Sequence, residues 1–445
     1  MRGALAWFAR GFVTNRQQRE KKRWPNNWND NMAVLVGNML VAQAGQGTCA
    51  TNAGLVGAIT QAGRYPELIG EIYGALNSVP GILREQFIDF LEEKQQALKG
   101  LRHTPGAALG VGEAVLDRGR DAETAARNLD RLFQVFETHD IRYFFLVGDR
   151  AGQRTALAIH QAAAERGYEL RVIGIPASVE NELARTDHSP GYGSAVKHAA
   201  VTVREAGLDA AATGGGHCCV IEVSSREVGW LAAGTVLAKR AEDEAPHFIL
   251  LPEIPVAEER LLEQIRETAL RRGHCVIVTA EGARNEAGNA LATDTAGNPV
   301  NAGAALTHLI KTRLGLSVCH VALGATQRSA GHFASATDLN EAYDCGRNAV
   351  LSAVNGQSGF MIKLVRENQG AYKTTIGLEL LENIARETNA VPADWVRSDV
   401  FLPHDRLIQH VRPLIEGEVS LPLEQGLPDY VRLARVPVET RPPTS

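Results

Sequence analysis

Residues 143–155 read YFFLVGDRAGQRT, and residues 169–182 read ELRVIGIPASVENE. Each stretch contains a short apolar run, and the residues between the two runs show helical periodicity as far as about Gly167. Two apolar runs separated by a helix predict a strand, a helix and a parallel strand, and such units bind ligands beyond the carboxyl ends of their strands. Both predicted strands end in polar turns. We therefore expect acids, small residues and backbone N–H groups along one edge of a parallel sheet.

The composition is that of a large globular protein. The chain has 445 residues, of which 44% are hydrophobic and 22% charged, enough for two domains or for two lobes of one unit. No apolar run reaches membrane-spanning length, and a formal net charge of -5 gives no sign of nucleic-acid binding. We expect a cytoplasmic protein that binds neither nucleic acid nor membrane.

The cysteines are spaced unlike those of a zinc knuckle or a disulfide framework. None of the six lies in a CxxC pair, which favours a reducing cytoplasm. Three His–Cys neighbourhoods resemble metal ligands, but they lie in or beside apolar runs, so we expect them in the core: His217-Cys218-Cys219, His274-Cys275 and Cys319-His320.

The two ends of the chain differ from the rest. Residues 1–31 are rich in arginine and lysine with aromatic residues between them, and Met32 opens the first predicted strand. A disordered tail or a mis-chosen start codon is favoured over a transit peptide or a basic arm. From about Asp399 onward prolines are frequent and periodic runs short, which predicts a wrapping extension that ends in a disordered tail.

Several short motifs follow one another in a fixed order from Asn38 to about Trp395. They are AQAGQGTCATNA at 42–53, TPGAALG at 104–110, IGIPASVENE at 173–182, HSPGYGSA at 188–195, EVSSREVGW at 222–230 and LGATQRS at 323–329. Their sequences, order and spacing resemble those of the pyrophosphate-dependent phosphofructokinases.

The resemblance implies an α/β fold of two Rossmann-like lobes, in which parallel-rich sheets are flanked by helices. It also implies a homodimer or homotetramer. The expected organisation is an N-terminal extension at 1–31, a donor-side lobe at 32–190 completed by part of 335–398, a sugar-phosphate lobe at 191–334 and a C-terminal extension at 399–445.

The reaction implied by the resemblance is phosphoryl transfer from pyrophosphate to the 1-hydroxyl of fructose 6-phosphate, a step of glycolysis. Such chemistry needs Mg²⁺, cations or N–H groups on the moving phosphoryl group, and a base near the hydroxyl. The family's base is an aspartate, which corresponds to Glu180 here, and Glu182 replaces a second aspartate. The extra methylene shifts the carboxylate by roughly 1 Å, an error that can cost about a hundredfold in rate.

The donor side departs further from the family pattern. Gly45, Gly148, Glu113 and Arg150 are the candidate donor-binding residues. Aligned without gaps, the family's metal-binding acid falls on Arg150, whose guanidinium cannot bind Mg²⁺. A shift of one residue puts Asp149 in that place as the candidate metal ligand, and both registers remain open. A family arginine corresponds to Glu113, so we hypothesise a Glu113–Arg150 ion pair across the donor site; two unrelated solvated charges are the alternative.

The sugar-phosphate side keeps more of the family's residues. The candidate substrate-binding residues are Ser178, Glu182, Arg226, Glu253 and Arg328. An arginine on phosphate and an acid on hydroxyl groups are what a sugar phosphate requires. Ala325 and Ser224-Ser225 replace family contacts, and a role of Arg226 and Glu253 in the fold alone is the competing interpretation.

Three functions remain open. The first is the family's pyrophosphate-dependent reaction with impaired or altered activity, because donor-side residues are replaced. The second is a catalytically silent protein that binds a sugar phosphate as a regulator or partner subunit. The third is a kinase of another sugar phosphate or one that uses a nucleotide, because Ala151 and Ala177 are small where pyrophosphate enzymes have an aspartate and a lysine.

Overall fold

The computed structural model describes residues 35–113, 116, 119, 121–292, 301–367 and 370–440. The predicted extension at 1–31, Met32 and the last five residues of the predicted tail lie outside this part of the chain. Two sheets, each with helices on both faces, form the architecture, so the predicted α/β class with parallel-rich sheets is confirmed.

The larger sheet contains seven strands within the described residues, in the order β11-β10-β5-β4-β1-β2-β3. Its inner strands are parallel, and only the outermost pairs at each edge, β2–β3 and β10–β11, are antiparallel. The strands are β1 (Gly37–Gln43), β2 (Ile69–Ala75), β3 (Phe87–Asp89), β4 (Ile141–Gly148), β5 (Arg171–Pro176), β10 (Phe360–Arg366) and β11 (Thr374–Leu380).

The smaller sheet has four parallel strands in the described part of the chain, in the order β7-β8-β6-β9. They are β6 (His217–Val223), β7 (Phe248–Leu250), β8 (His274–Ala280) and β9 (Val318–Ala322). Two short hairpins follow the larger sheet, namely β12 (Val396–Arg397) with β13 (Leu402–Pro403) and β14 (Leu423–Glu424) with β15 (Leu427–Pro428).

The helices cover the sheets. They are α1 (Cys49–Ala62), α2 (Ser78–Leu83), α3 (Gln95–Leu101), α4 (Ala122–Thr138), α5 (Arg150–Glu165), α6 (Tyr192–Thr213), α7 (Trp230–Gly234), α8 (Glu258–Arg272), α9 (Ala302–Leu309), α10 (Thr326–Ser329), α11 (Ala336–Val354), α12 (Leu381–Arg386) and α13 (Asp405–Val411). The central predicted unit is therefore present as β4, α5 and β5.

The apolar run of β4 explains why this unit lies at the centre. Residues 143–148 are all buried, because β4 pairs with β1 on one side and with β5 on the other and helices cover both faces. A strand buried on both faces has no polar alternation, and this is why the run is continuous. Burial of each large side chain, such as Phe144 or Phe145, contributes roughly 1.5–3 kcal/mol.

The chain after Asp399 packs against both sheets. Helix α13, which the sequence analysis did not predict, buries Leu407 and Val411 in the core beside the smaller sheet. Farther on, Pro437 forms an antiparallel bridge to Ile88 in β3, and the Glu93 carboxylate accepts N–H bonds from the chain at 434 and 435. The described part of the extension thus wraps around the molecule.

The cysteines occupy the interior. All six are free, and only Cys319, on the edge strand β9, is not fully buried. The prediction of a core position is confirmed for Cys218, Cys219 and Cys275. Among the described residues no group of three or more His, Cys, Asp or Glu side chains is arranged to hold a metal ion. Within the same residues, every helix is too short or too polar to cross a bilayer.

Candidate active site in the cleft between the sheets

The carboxyl ends of both sheets face one cleft. On the larger sheet, β1 leads to the Gly45 turn, β4 to Asp149 and β5 to the loop at 177–191. On the smaller sheet, β6 leads to Arg226, β7 to Glu253 and β8 to Glu281. Carboxyl ends of parallel strands are where such folds bind ligands. The cleft therefore contains nearly all of the predicted site residues.

The loop after β5 is held at both of its ends. The N–H group of Ala177 donates to Gly148 O at 3.1 Å, and the N–H group of Ser178 donates to Pro190 O at 2.9 Å. Between these anchors Asn181 has a φ of 61°, and its side-chain oxygen accepts the N–H group of Ser189 at 2.7 Å. A left-handed asparagine is tolerated in such turns. The loop is consequently ordered by its own hydrogen bonds, with Glu180 and Glu182 on either side of the turn.

Glu180 lies at the meeting point of the two lobes. One carboxylate oxygen accepts from Gln46 Nε2 at 3.4 Å and the other from the N–H group of Arg226 at 3.3 Å, and both are long contacts. Burial, assisted by the nearby charge of Glu182, raises the pKa of Glu180 to about 7. A base is most useful when its pKa is near the working pH. A pKa in this range suits a general base, and that role for Glu180 stays a prediction.

Glu182 is engaged by its own loop. Its carboxylate accepts the hydroxyl of Ser178 and, at 3.1 Å, the N–H group of Arg150. Burial and then the charge of Asp149 raise the pKa of Glu182 above its usual range. The Ser178 hydroxyl also accepts the N–H group of Glu180 at 3.1 Å, so both of its hydrogen bonds lie within the loop. Both residues support the loop, and their proposed contact with substrate stays a prediction.

Asp149, not Arg150, faces the Gly45 turn. Asp149 caps helix α5 by accepting the N–H group of Gly152 at 3.0 Å. A Cβ atom added at Gly45 would overlap the Asp149 carboxylate, and Gly45 has a φ of 74° that favours glycine. Burial raises the pKa of Asp149, and the Glu113 charge raises it further. The structure thus places the Asp149 carboxylate beside the Gly45 turn, and its role as a metal ligand stays a prediction.

Arg150 has a different partner from the expected one. Its guanidinium donates to the carboxylate of Glu227, in the turn after β6, and no ion pair joins it to Glu113 among the described residues. The hypothesis of a direct Glu113–Arg150 pair is therefore corrected. The reason is the approach of the two sheets, which brings Glu227 to the first residue of α5. Because these residues are far apart in sequence, no local pattern could have indicated the pair.

Two carboxylates make hydrogen bonds on the predicted sugar-phosphate side, those of Glu281 and Glu253. Arg226 forms a two-pronged contact with Glu281, at 3.0 and 3.4 Å. One oxygen of Glu253 accepts the N–H groups of Gly229 and Val391, at 2.8 and 3.0 Å. The other oxygen, Oε2, is buried without a hydrogen-bond partner. Such atoms are rare and costly, and the proposed contact of Glu253 with a substrate hydroxyl stays a prediction.

Arg328 lies on α10, the short helix that follows β9 of the smaller sheet. It lines a small pocket together with Thr48 and Gly191 at the N-terminal ends of α1 and α6, and neither Arg226 nor Glu253 lines this pocket. The preceding residue, Gln327, is buried and accepts the N–H group of Ser224 at 3.3 Å. The pocket adjoins the loop at 177–191, because Gly191 forms a bridge with Ser178.

Four contacts of the cleft were missed by the sequence analysis. Gln46, Glu227 and Gln327 stand inside the quoted motifs, and Glu281 directly follows the strand β8, but the sequence analysis gave none of the four a role. Each of them touches a residue more than 50 positions away. For Gln46, Glu227 and Gln327, the signal that could have found them is their place within the motifs; for Glu281 it is the carboxyl end of a strand.

Comparison with known proteins agrees with this geometry. The sequence model of the phosphofructokinase family matches residues 38–353. The chain belongs to the phosphofructokinase family. The pyrophosphate--fructose 6-phosphate 1-phosphotransferase of Halomonas elongata is 36% identical over 418 residues, which are 91% of this chain and 98% of the relative.

Solved structures of this phosphofructokinase family give the same result. The pyrophosphate-dependent phosphofructokinase of Marinobacter aquaeolei superposes with a TM-score of 0.82 at 34% identity, over 91% of this chain and 98% of that chain. The enzyme of Nitrosospira multiformis gives a TM-score of 0.83 with the same identity and coverage. The phosphofructokinase fold expected from the motifs is thereby confirmed.

Proposed function

We propose that this protein transfers a phosphoryl group from pyrophosphate to the 1-hydroxyl of fructose 6-phosphate, forming fructose 1,6-bisphosphate and phosphate. The observation that carries the proposal is Glu180, a carboxyl group with a pKa of about 7, at the junction of two parallel sheets. The relatives named above are similar over nearly their whole length and support the same reaction.

In this reaction the 1-hydroxyl oxygen attacks the terminal phosphorus of pyrophosphate while the bridging P–O bond breaks. Glu180 accepts the hydroxyl proton, and phosphate leaves. Glu253 Oε2 accepts a hydrogen bond from a sugar hydroxyl, and Arg226 and Arg328 bind the sugar phosphate, since arginine matches phosphate geometry. The Gly45 turn, Gly148, Glu113 and Arg150 border the donor.

The residues present fit a magnesium ion that arrives with the donor. Mg²⁺ in phosphoryl-transfer sites is held by one or two carboxylates together with substrate phosphates and water. Asp149 supplies one such carboxylate, because only its Oδ1 caps α5 and Oδ2 faces the Gly45 turn. When bound, the ion would neutralise charge on the phosphoryl group. We therefore expect the activity to depend on Mg²⁺.

We expect reduced turnover compared with ordinary enzyme rates of about 1–1000 per second. Glu180 has one methylene more than the family's aspartate, and both oxygens of Glu180 make only long contacts. Small displacements of a catalytic group are costly, about a hundredfold for roughly 1 Å. The expected setting is the cytoplasm, and the expected assembly is a homodimer or homotetramer.

The test is a phosphotransferase assay with fructose 6-phosphate and either pyrophosphate, ATP or ADP, with and without Mg²⁺. Turnover of fructose 6-phosphate with pyrophosphate and Mg²⁺, but not with ATP or ADP, supports the proposal. Turnover only with a nucleotide would overturn the choice of donor. Binding of fructose 6-phosphate without any turnover would instead identify the catalytically silent protein. Light scattering on the same sample measures the assembly.

A further inference from the structure

The ion pair between Arg150 and Glu227 crosses the cleft. Arg150 is the first residue of α5, on the larger sheet, whereas Glu227 lies in the turn between β6 and α7, on the smaller one. Arg150 Nη2 donates to Glu227 Oε2. The pair therefore links the two lobes on the side of the cleft where Asp149 meets the Gly45 turn.

Arg150 and Glu227 differ in how easily each side chain can leave the ion pair for water. The side chain of Arg150 is 15% exposed, and that of Glu227 is 60% exposed. The backbone of Arg150 is also held, because its N–H group donates to Glu182 at 3.1 Å. A released glutamate returns to water at little cost, but a mostly buried guanidinium needs another anion. Glu227 is consequently the member of the pair that can be exchanged.

The surroundings of Arg150 would otherwise repel a phosphate donor. Asp149 and Glu182 lie directly beside Arg150, and Glu113 is close enough to affect Asp149. Arginine remains charged at every physiological pH and forms paired hydrogen bonds with phosphate. A donor anion that enters this side of the cleft therefore competes with the Glu227 carboxylate for the same guanidinium.

We propose that the Glu227 carboxylate binds the Arg150 guanidinium in the free protein and is displaced by the pyrophosphate anion, so that Glu227 lowers the affinity of the donor site. This inference rests on the proposed function, because it names pyrophosphate as the displacing anion. The donor then replaces the direct Arg150–Glu227 link between the lobes by a contact between its phosphate and Arg150.

The test compares pyrophosphate binding by calorimetry, without fructose 6-phosphate, in the wild type, Glu227→Gln, Arg150→Gln and the double variant. Because the Glu227 side of the pair is exposed to water, the pair is worth little, and Glu227→Gln is expected to tighten binding only about two- to fivefold. Arg150→Gln should weaken binding, and the second substitution in that background should change nothing. In steady-state kinetics, Glu227→Gln should lower the KM for pyrophosphate by the same factor and leave the KM for fructose 6-phosphate unchanged.

A matched control separates displacement from a general change of charge. Glu242 pairs with Arg272 in a similar manner, with side chains 93% and 17% exposed, and it contacts no residue of the site. Glu242→Gln should leave pyrophosphate binding unchanged, and thermal unfolding midpoints should show that all variants fold.

Three outcomes would overturn the inference. The first is unchanged or weaker binding in Glu227→Gln, and the second is an equal gain in the Arg150→Gln background. Either of them leaves the proposed function intact if the wild type turns over pyrophosphate. The third is the absence of pyrophosphate binding in every variant, which would overturn the proposed donor together with this inference.

Discussion

The carboxyl group of Glu180 lies between the side-chain amide of Gln46 and the backbone N–H group of Arg226, with Glu182 two residues away. Neither hydrogen bond is short enough to offset the loss of water around the charge. Burial is therefore the main reason why its pKa rises to about 7. In a more exposed position, the same carboxyl group would be fully ionised at neutral pH and would be a weaker base.

The first prediction concerns the dependence of the rate on pH. A general base acts only when it is deprotonated, so a raised pKa moves the loss of activity to higher pH. We expect kcat/KM to fall as the pH decreases through about 7, the pKa of Glu180, and to approach a tenfold loss per pH unit below it. Initial rates between pH 5 and 9 measure this profile. A rate that stays flat down to pH 5 would show that another group accepts the proton.

The second prediction concerns removal of that base. Glu180→Gln keeps the shape of the side chain but cannot accept the proton, so turnover should fall by about 10²- to 10⁴-fold. Binding of fructose 6-phosphate, measured by calorimetry, should change little, because Glu253 and the arginines are intact. Turnover within tenfold of the wild type would contradict the assignment of Glu180 as the base.

At the scale of elements, the turn after β1 and the loop at 104–110 form one unit. The buried side chains of Gln43 and Asn52 hold that loop, since Gln43 Oε1 accepts the N–H group of Leu109 at 2.9 Å and Asn52 Oδ1 accepts that of Ala108 at 2.9 Å. Asn52 also donates to Thr104 O at 2.8 Å. Buried polar groups with all their partners specify one arrangement. Two motifs that are distant in sequence thus form a single surface, which we expect on the donor side of the site.

The third prediction tests the close approach within this surface. Gly45→Ala should strain a backbone at φ 74° and push the Asp149 carboxylate away from the turn. We expect the affinity for pyrophosphate to fall by at least tenfold. Gly167→Ala is the control, because Gly167 also has a positive φ of 63°, but an added Cβ there meets nothing within 4 Å.

The outcome of this comparison is read from binding and from stability together. Both variants should lower the thermal midpoint slightly, since alanine is strained at positive φ in each case. Only Gly45→Ala should lose donor affinity. Equal donor affinity in the two variants would show that contact between Gly45 and Asp149 has no part in donor binding.

At the scale of the whole molecule, a buried charge network joins the loop after β5 to distant segments. His188 is completely buried and contacts Asp187 and Glu341, each at 2.9 Å. Asp187 also pairs with Arg366 in β10 at 2.9 Å, and Glu341 is on α11. Burial alone would lower the pKa of His188, but the two carboxylates raise it to about 9. The cationic imidazole therefore links the end of the loop at 177–191 to the larger sheet and α11.

The fourth prediction follows from the sign of this shift. Because the pKa of His188 is raised in the folded state from an ordinary value of 6.5, its contribution to stability is fully present below pH 6.5 and is lost as the pH rises through about 9. Removing one member of a buried ion pair costs about 3 kcal/mol. His188→Gln should lower the thermal midpoint by roughly 5 °C at pH 6, and less at pH 10.

His308→Gln, at an exposed position on α9, is the control and should leave the midpoint unchanged at both pH values. Calorimetric scans across this pH range measure the effect. A midpoint difference between wild type and His188→Gln that grows with pH would contradict a cationic histidine in the network.

The residues of the chain predicted a large part of this protein. Continuous apolar runs predicted the central strands, because a parallel strand buried on both faces must be apolar throughout. Motif order predicted the family, and the polar strand ends predicted which loops approach the cleft. The positions of Glu180 and Asp149 beyond strand ends follow from local sequence, because the turn residues that directly follow a strand determine where it ends.

Tertiary structure alone determined the partners within the cleft. The pairing of Arg150 with Glu227, the choice of Asp149 over Arg150 at the Gly45 turn and the unpartnered oxygen of Glu253 all depend on how two separate sheets approach each other. These contacts join residues far apart in the chain, so no periodicity or spacing carries them. The pKa of Glu180 has the same origin, because burial is a property of the assembled lobes rather than of any one segment.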